Sequence, residues 1–334
     1  MIPGTAELRQ VPAWQAELAR AVTDPQELLR EVGLGLEWLP AARAAARAFP
    51  LKVPRGFIGR MRRGDPHDPL LRQVLPLAEE LIEVAGFGAD PVGDRVALRA
   101  PGVLHKYHGR VLLTATGACA VHCRYCFRRE FPYGEANASA DGFRAALDYI
   151  AADASVDEVI LSGGDPLTLS DRRLAEFVRA LEAIPQVTRL RLHTRLPVVL
   201  PERIDRSLLA WLGDTRLATV VVIHANHAQE LDEGVHAALA ALKEAGATLL
   251  NQSVLLRGVN DSAATLAGLS EALFAAGVLP YYLHALDRVT GAAHFELDEQ
   301  RARAIHAELA ALLPGYLVPR LVREQPGAPA KLPL

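Results

Sequence analysis

The sequence predicts an α/β protein: a partial (β/α)6 barrel of TIM type, with a helical region before it and a short extension after it. Three observations carry that prediction. Between about residues 110 and 285, six aliphatic or β-branched runs alternate with Ala- and Leu-rich stretches of helical period, the mark of repeated βα units. The stretch spans roughly 180 residues, short of the roughly 250 of a closed eight-unit barrel, which selects an open six-unit form. Each run also ends in polar or glycine-rich sequence, as expected where the carboxyl ends of barrel strands carry the chemistry.

The elements follow in chain order. Residues 1–95 read as helical: Trp14, Leu18 and Val22 recur at i, i+4 and i+8, and Thr23, Asp24 and Pro25 with Glu27 form a helix start. A further helix is expected from Leu77 to Val84 behind Pro76, before the turn residues Gly86, Gly88, Asp90 and Pro91. The barrel region, 96–296, holds the six predicted strands Val111–Thr116, Glu158–Leu161, Leu190–His193, Thr219–His224, Thr248–Val254 and Val278–Leu283. The extension, 297–334, contains one helix (Asp298, Arg301, Ile305, Leu309, Leu312), a strand over Tyr316–Val322 and a Gly/Pro-rich ending around Lys331.

Composition narrows the function. The chain has 334 residues, half of them hydrophobic, with 36 basic against 39 acidic side chains. That suits a large core and argues against a bulk nucleic-acid or anionic-membrane surface. No run approaches the ~18 apolar residues of a membrane span, and the start lacks a signal-peptide pattern, so a reducing, cytoplasmic setting is expected. The three cysteines, Cys119, Cys123 and Cys126, lie within eight residues, which suits chemistry better than structural staples. Only four lysines occur, Lys52, Lys106, Lys243 and Lys331. Any role that needs an amine has four candidates.

The strand ends gather polar groups: the cysteine loop after the first run, Ser162, Gly163, Gly164, Asp165 and Pro166 after the second, and Thr194 and Arg195 after the third. His224 and Asn226 end the fourth, Gln252 lies in the fifth, and His284 and Asp287 follow the sixth. Three cysteines at C-x3-C-x2-C can face one centre. A structural zinc would want a fourth ligand, for which His122 is badly placed, whereas an iron–sulfur cube held by three cysteines keeps one iron open. Three free buried thiols are the bland alternative. A Gly-Gly-Asp-Pro stretch taken alone is commonly a plain turn.

The cysteine spacing behind a first barrel strand, with aromatic Tyr125 before the third cysteine, resembles the signature of the radical S-adenosylmethionine (SAM) enzymes. That resemblance implies a [4Fe–4S] cluster on Cys119, Cys123 and Cys126, SAM on the open iron, and the 163–165 stretch holding the methionyl amino group. Five segments (119–129, 161–167, 193–203, 251–261 and 280–283) further resemble the lysine 2,3-aminomutases, from about residue 10 to the end, and most closely their short branch associated with elongation factor P. The extra zinc-binding cysteines of the longer branch are missing. This resemblance implies pyridoxal 5'-phosphate (PLP) bound through Lys331, with Arg110 and Lys106 gripping its phosphate and His224, Asn226 and Gln252 among the cofactor contacts. It also implies an L-lysine site in which Arg128 takes the carboxylate and Asp287 and Glu324 take the distal ammonium, Glu324 standing where the family has a second aspartate. The reaction implied is migration of the amino group from the α- to the β-carbon, giving β-lysine. Implied partners are an electron donor such as flavodoxin or ferredoxin, and elongation factor P with its β-lysine ligase; a homo-oligomer is compatible. The rival readings are a radical SAM enzyme without PLP, and an iron–sulfur or zinc module engaging the translation machinery.

Overall fold

The computed structural model describes residues 11–334. Ten strands form one sheet in chain order: β1 (Leu98–Ala100), β2 (Val103–Tyr107), β3 (Arg110–Thr116), β4 (Glu158–Gly163), β5 (Arg189–Thr194), β6 (Ala218–Ile223), β7 (Thr248–Val254), β8 (Leu279–His284), β9 (Arg320–Arg323) and β10 (Leu332–Pro333). Strands β3 to β9 run parallel, β1 and β2 add antiparallel at one edge, and β10 adds antiparallel at the other. The two edges do not pair, so the barrel is open. The six expected strands are β3 to β8: β7 has the expected bounds, and the ends of the others differ by at most two residues.

Strand period two divides each parallel strand between two environments. Val111, Leu113 and Ala115 of β3, Val159 and Leu161 of β4, and Leu190 and Leu192 of β5 are buried in the core beneath the helices. Their neighbours Arg110, Leu112, Glu158, Ile160, Ser162, Arg191 and His193 point the other way, into one cavity. The helices cover the apolar side. Helix Asp171–Glu182 buries Leu174, Phe177, Val178 and Leu181 at i, i+3, i+4 and i+7, each side chain contributing about 1.5–3 kcal/mol.

Three expected elements differ. The stretch Leu77 to Val84 forms only the 3-10 turn Ala78–Leu81, because Glu80 accepts from the Leu77 N–H (3.1 Å) and turns its carboxylate onto Arg124 and Arg129. The first helix stops at Ala19; Val22 leaves it to bridge Val53 in extended backbone. The strand expected over Tyr316–Val322 narrows to β9, since Gly315–Leu317 is a 3-10 turn and Pro319 donates no hydrogen bond. Asp24 caps the helix Pro25–Val32 as its sequence predicts. Among the described residues no helix is long and apolar enough to cross a membrane.

Candidate active site

The cavity has a volume of about 690 Å³. Its walls are the inward residues of the parallel strands and the cysteine loop after β3, and its lining includes all three cysteines, Gly163, Gly164, His224, Gln252, Asp287, Glu324 and Lys331.

The cysteine loop is held from behind. Arg124, fully buried, donates two hydrogen bonds to Glu80 (2.7 and 2.6 Å) and one to the Phe49 carbonyl (2.9 Å). His122 turns away, bonding the Pro50 carbonyl at 2.9 Å and stacking on Phe49, so it faces no thiol. Burial, then the neighbouring Cys126, Asp165 and Cys123, pushes the Cys119 thiol well up; burial and Cys123 push Cys126 up to about 11. Such crowded thiolates gain from a cationic centre. Among the described residues no three His, Cys, Asp or Glu side chains converge on a point that one ion could occupy. A zinc needs that convergence at about 2.0–2.3 Å. A cluster, which takes each thiolate on a different iron, fits the donors better.

Gly163 and Gly164 bring β4 against this loop. Gly163 has φ +114°, and a Cβ there would stand 2.7 Å from the Thr116 carbonyl oxygen; a Cβ on Gly164 would stand 2.3 Å from that of Ala118. Asp165 is spent on the protein itself: its carboxylate accepts from the N–H groups of Leu167 (3.1 Å) and Arg195 (2.7 Å) and from the Thr194 hydroxyl (2.8 Å). Asn226, fully buried, lies behind the cavity wall, donating to Tyr125 (2.7 Å) and Gln73 (3.0 Å). His224 reaches the same Tyr125 hydroxyl (3.0 Å) while facing the cavity. These two residues form part of a buried network with Arg195, which donates to Cys123 Sγ (2.7 Å), Tyr125 (2.8 Å), Gln73 (2.6 Å) and Glu230 (3.0 Å).

From the cysteine loop to the two edges of the sheet, charge is laid out in a continuous chain. Arg128 donates to Asp94 (2.6 Å) and Ser162 (3.1 Å); Asp94 also pairs with Lys106 (2.6 Å); Lys106 pairs with Glu324 (2.8 Å); and Glu324 pairs with Lys331 (2.5 Å). Despite burial, Lys331 and Lys106 hold the Glu324 carboxyl down to about 2. Asp287 differs: burial, with Glu324 adding, raises it to about 7. Burial and Lys331 lower His284 to about 3, so its imidazole is neutral. Lys106, which the resemblance places on the PLP phosphate, has its amine on Asp94, Glu324 and the Val92 carbonyl. Arg110 lies over the Tyr107 ring at the cavity wall.

Three cavity residues carry weight that strand-end reading misses. Arg191 pairs with Glu158 (2.7 Å), yet among the described residues its buried Nε has no partner, and neither has His193 Nε2. Asp94 comes from a turn ahead of the barrel. The in-strand signal was a charged or imidazole residue at every second position of β5.

A model of the radical SAM superfamily matches residues 113–219, from β3 to the start of β6. The chain is 52% identical to a protein of Escherichia coli (strain K12) named L-lysine 2,3-aminomutase, over 96% of this chain and 94% of that one. The chain belongs to the L-lysine 2,3-aminomutase family. Another member of the lysine 2,3-aminomutase family, from Haemophilus influenzae, is 46% identical over 99% of this chain and 98% of its own. A longer one from Clostridium subterminale is 33% identical, and the chain spans 77% of its length. Lysine 2,3-aminomutases are radical SAM isomerases, so the family implies a [4Fe–4S] cluster and SAM.

Proposed function

We propose that the chain converts L-lysine to β-lysine by 1,2-amino migration, using a [4Fe–4S] cluster, SAM and PLP, in the cytoplasm. The observation that carries the reading is that one cavity is lined by the three cysteines, by the Lys331 amine and by groups of both charge signs. When bound, the cluster and SAM supply a 5′-deoxyadenosyl radical, and PLP supplies a carbonyl for the substrate amine and a ring that spreads unpaired spin. Cys119, Cys123 and Cys126 hold the cluster, and the glycines at 163 and 164 let backbone approach SAM closely. Lys331 is the amine for PLP. The unpaired Arg191 Nε–H is a donor suited to its anionic groups, beside Arg110 and the His193 imidazole. Arg128, oriented by Asp94 and Ser162, offers its remaining N–H groups to the substrate carboxylate, and Asp287 offers a carboxylate to the distal ammonium. Walls of Leu112, Ile160, Val199 and Leu286 exclude water from reactive species.

The reductant is a flavodoxin- or ferredoxin-type donor. The product is destined for elongation factor P, attached by a separate ligase; this last step rests on the likeness to the short branch.

Anaerobic incubation of the reconstituted protein with labelled L-lysine, SAM and a reductant tests the reaction: β-lysine is expected, and unchanged lysine would overturn it. Borohydride reduction should fix PLP to Lys331 and leave Lys331→Ala unlabelled.

A further inference from the structure

Glu324 has both oxygens engaged by amines of the protein itself. Oε1 accepts from Lys106 at 2.8 Å and Oε2 from Lys331 at 2.5 Å, with both side chains of the Lys331 pair about four-fifths buried. The pairing is built into the sheet. Strand β10 runs antiparallel to β9 with Leu332 opposite Arg323 and Pro333 opposite Val322, so the next position of that register sets Lys331 opposite Glu324. Cross-strand neighbours of opposite charge attract.

Lys106 does not depend on Glu324. Its amine keeps Asp94 at 2.6 Å and the Val92 carbonyl at 2.8 Å. The carboxylate of Asp287, by contrast, accepts no hydrogen bond and joins no ion pair among the described residues, though it lines the same cavity. One carboxylate is taken and one is available.

We propose that Glu324 is a positioning residue for Lys331: it receives the Lys331 ammonium whenever that amine is unbonded, and so leaves Asp287 as the carboxylate that takes the distal ammonium of the substrate. The second half rests on the lysine reading above. The first does not. A lysine that alternates between a covalent bond and freedom needs a fixed place to stand when free, or it wanders through a site that must stay ordered. Glu324 supplies that place at one residue's distance across a strand pair.

The test is competitive acylation with acetic anhydride at pH 8, on the full-length chain before PLP is added. The rate at Lys331 is read by peptide mass spectrometry against Lys243, which is exposed on helix Glu233–Glu244. An amine held by a carboxylate in a largely buried pair is shielded from the anhydride, so the ion pair slows Lys331. Glu324→Gln should raise the Lys331/Lys243 ratio about tenfold, the scale on which a hydrogen bond to a charged group holds its partner. Glu324→Asp, which keeps the charge, should stay near the wild-type ratio. An unchanged ratio in Glu324→Gln overturns the pairing, and so does an equal rise in both variants, which would mean that any change at 324 merely exposes the lysine. No PLP and no turnover enter the measurement, so its failure is distinct from failure of the aminomutase reading, which borohydride trapping and product analysis decide.

Discussion

Asp287 is a carboxylate raised to about 7 by burial, with the Glu324 charge adding to the shift. Its charged form is the one that would bind an ammonium, and that form grows as pH rises through 7. We therefore expect kcat/KM for lysine to climb between about pH 6 and 8, since this parameter reports groups of the free enzyme, and Asp287→Asn to flatten the rise and raise KM. A profile still inflecting near 7 in Asp287→Asn would assign it elsewhere. Asp94 works differently: it pairs with Arg128 and Lys106 at once, and with those partners it stays below the usual carboxylate range despite its burial. Asp94→Asn removes the negative charge that Arg128 and Lys106 share. It should raise the KM for lysine more than it lowers kcat, and destabilise the fold by about 3–5 kcal/mol in urea unfolding.

At the scale of elements, the close approach of β4 to the cysteine loop is what a side chain at 164 would break. Gly164 donates to the Thr116 carbonyl at 2.6 Å, and a methyl group there would meet the Ala118 carbonyl. Gly164→Ala should therefore lower iron content below that of the wild type and cost about 1–3 kcal/mol, read by iron analysis and by thermal unfolding. The strands were legible in the sequence because β-branched runs alternate with helical stretches, and the cysteines were legible because their spacing is local. Arg191 and His193 were harder to see, since a polar residue inside an apolar run reads as an interruption until the sheet shows which face it occupies. Asp94 and Gln73 were invisible: Asp94 acts through Lys106 and Arg128, neither in its own turn, and Gln73 through Tyr125, Arg195, Asn226 and Glu230, each more than fifty residues away, and nothing in the neighbouring sequence marks them. The Leu77 to Val84 helix was misjudged because a single acidic side chain, Glu80, gains more from Arg124 and Arg129 than from a continued helical turn.

At the scale of the whole molecule, the outward faces of β3 to β7 pack in one apolar core with the helices, while the cysteine loop borders the cavity. Chelating the iron should then raise amide exchange in residues 117–133 and leave the β3 to β7 amides protected, by hydrogen-exchange mass spectrometry. The ion pair between Lys106 and Glu324 joins positions 218 residues apart, and Lys331 comes later still. A chain emerging from the ribosome can pair β3 with β4 and β4 with β5 long before β9 exists. The amine-bearing wall is thus the last part of the site to arrive, and loop-closure entropy makes its docking a late event in folding as well. A nascent or truncated chain would own its thiols but not its lysine, so a half-made molecule could take up a metal centre without being able to hold the second cofactor beside it.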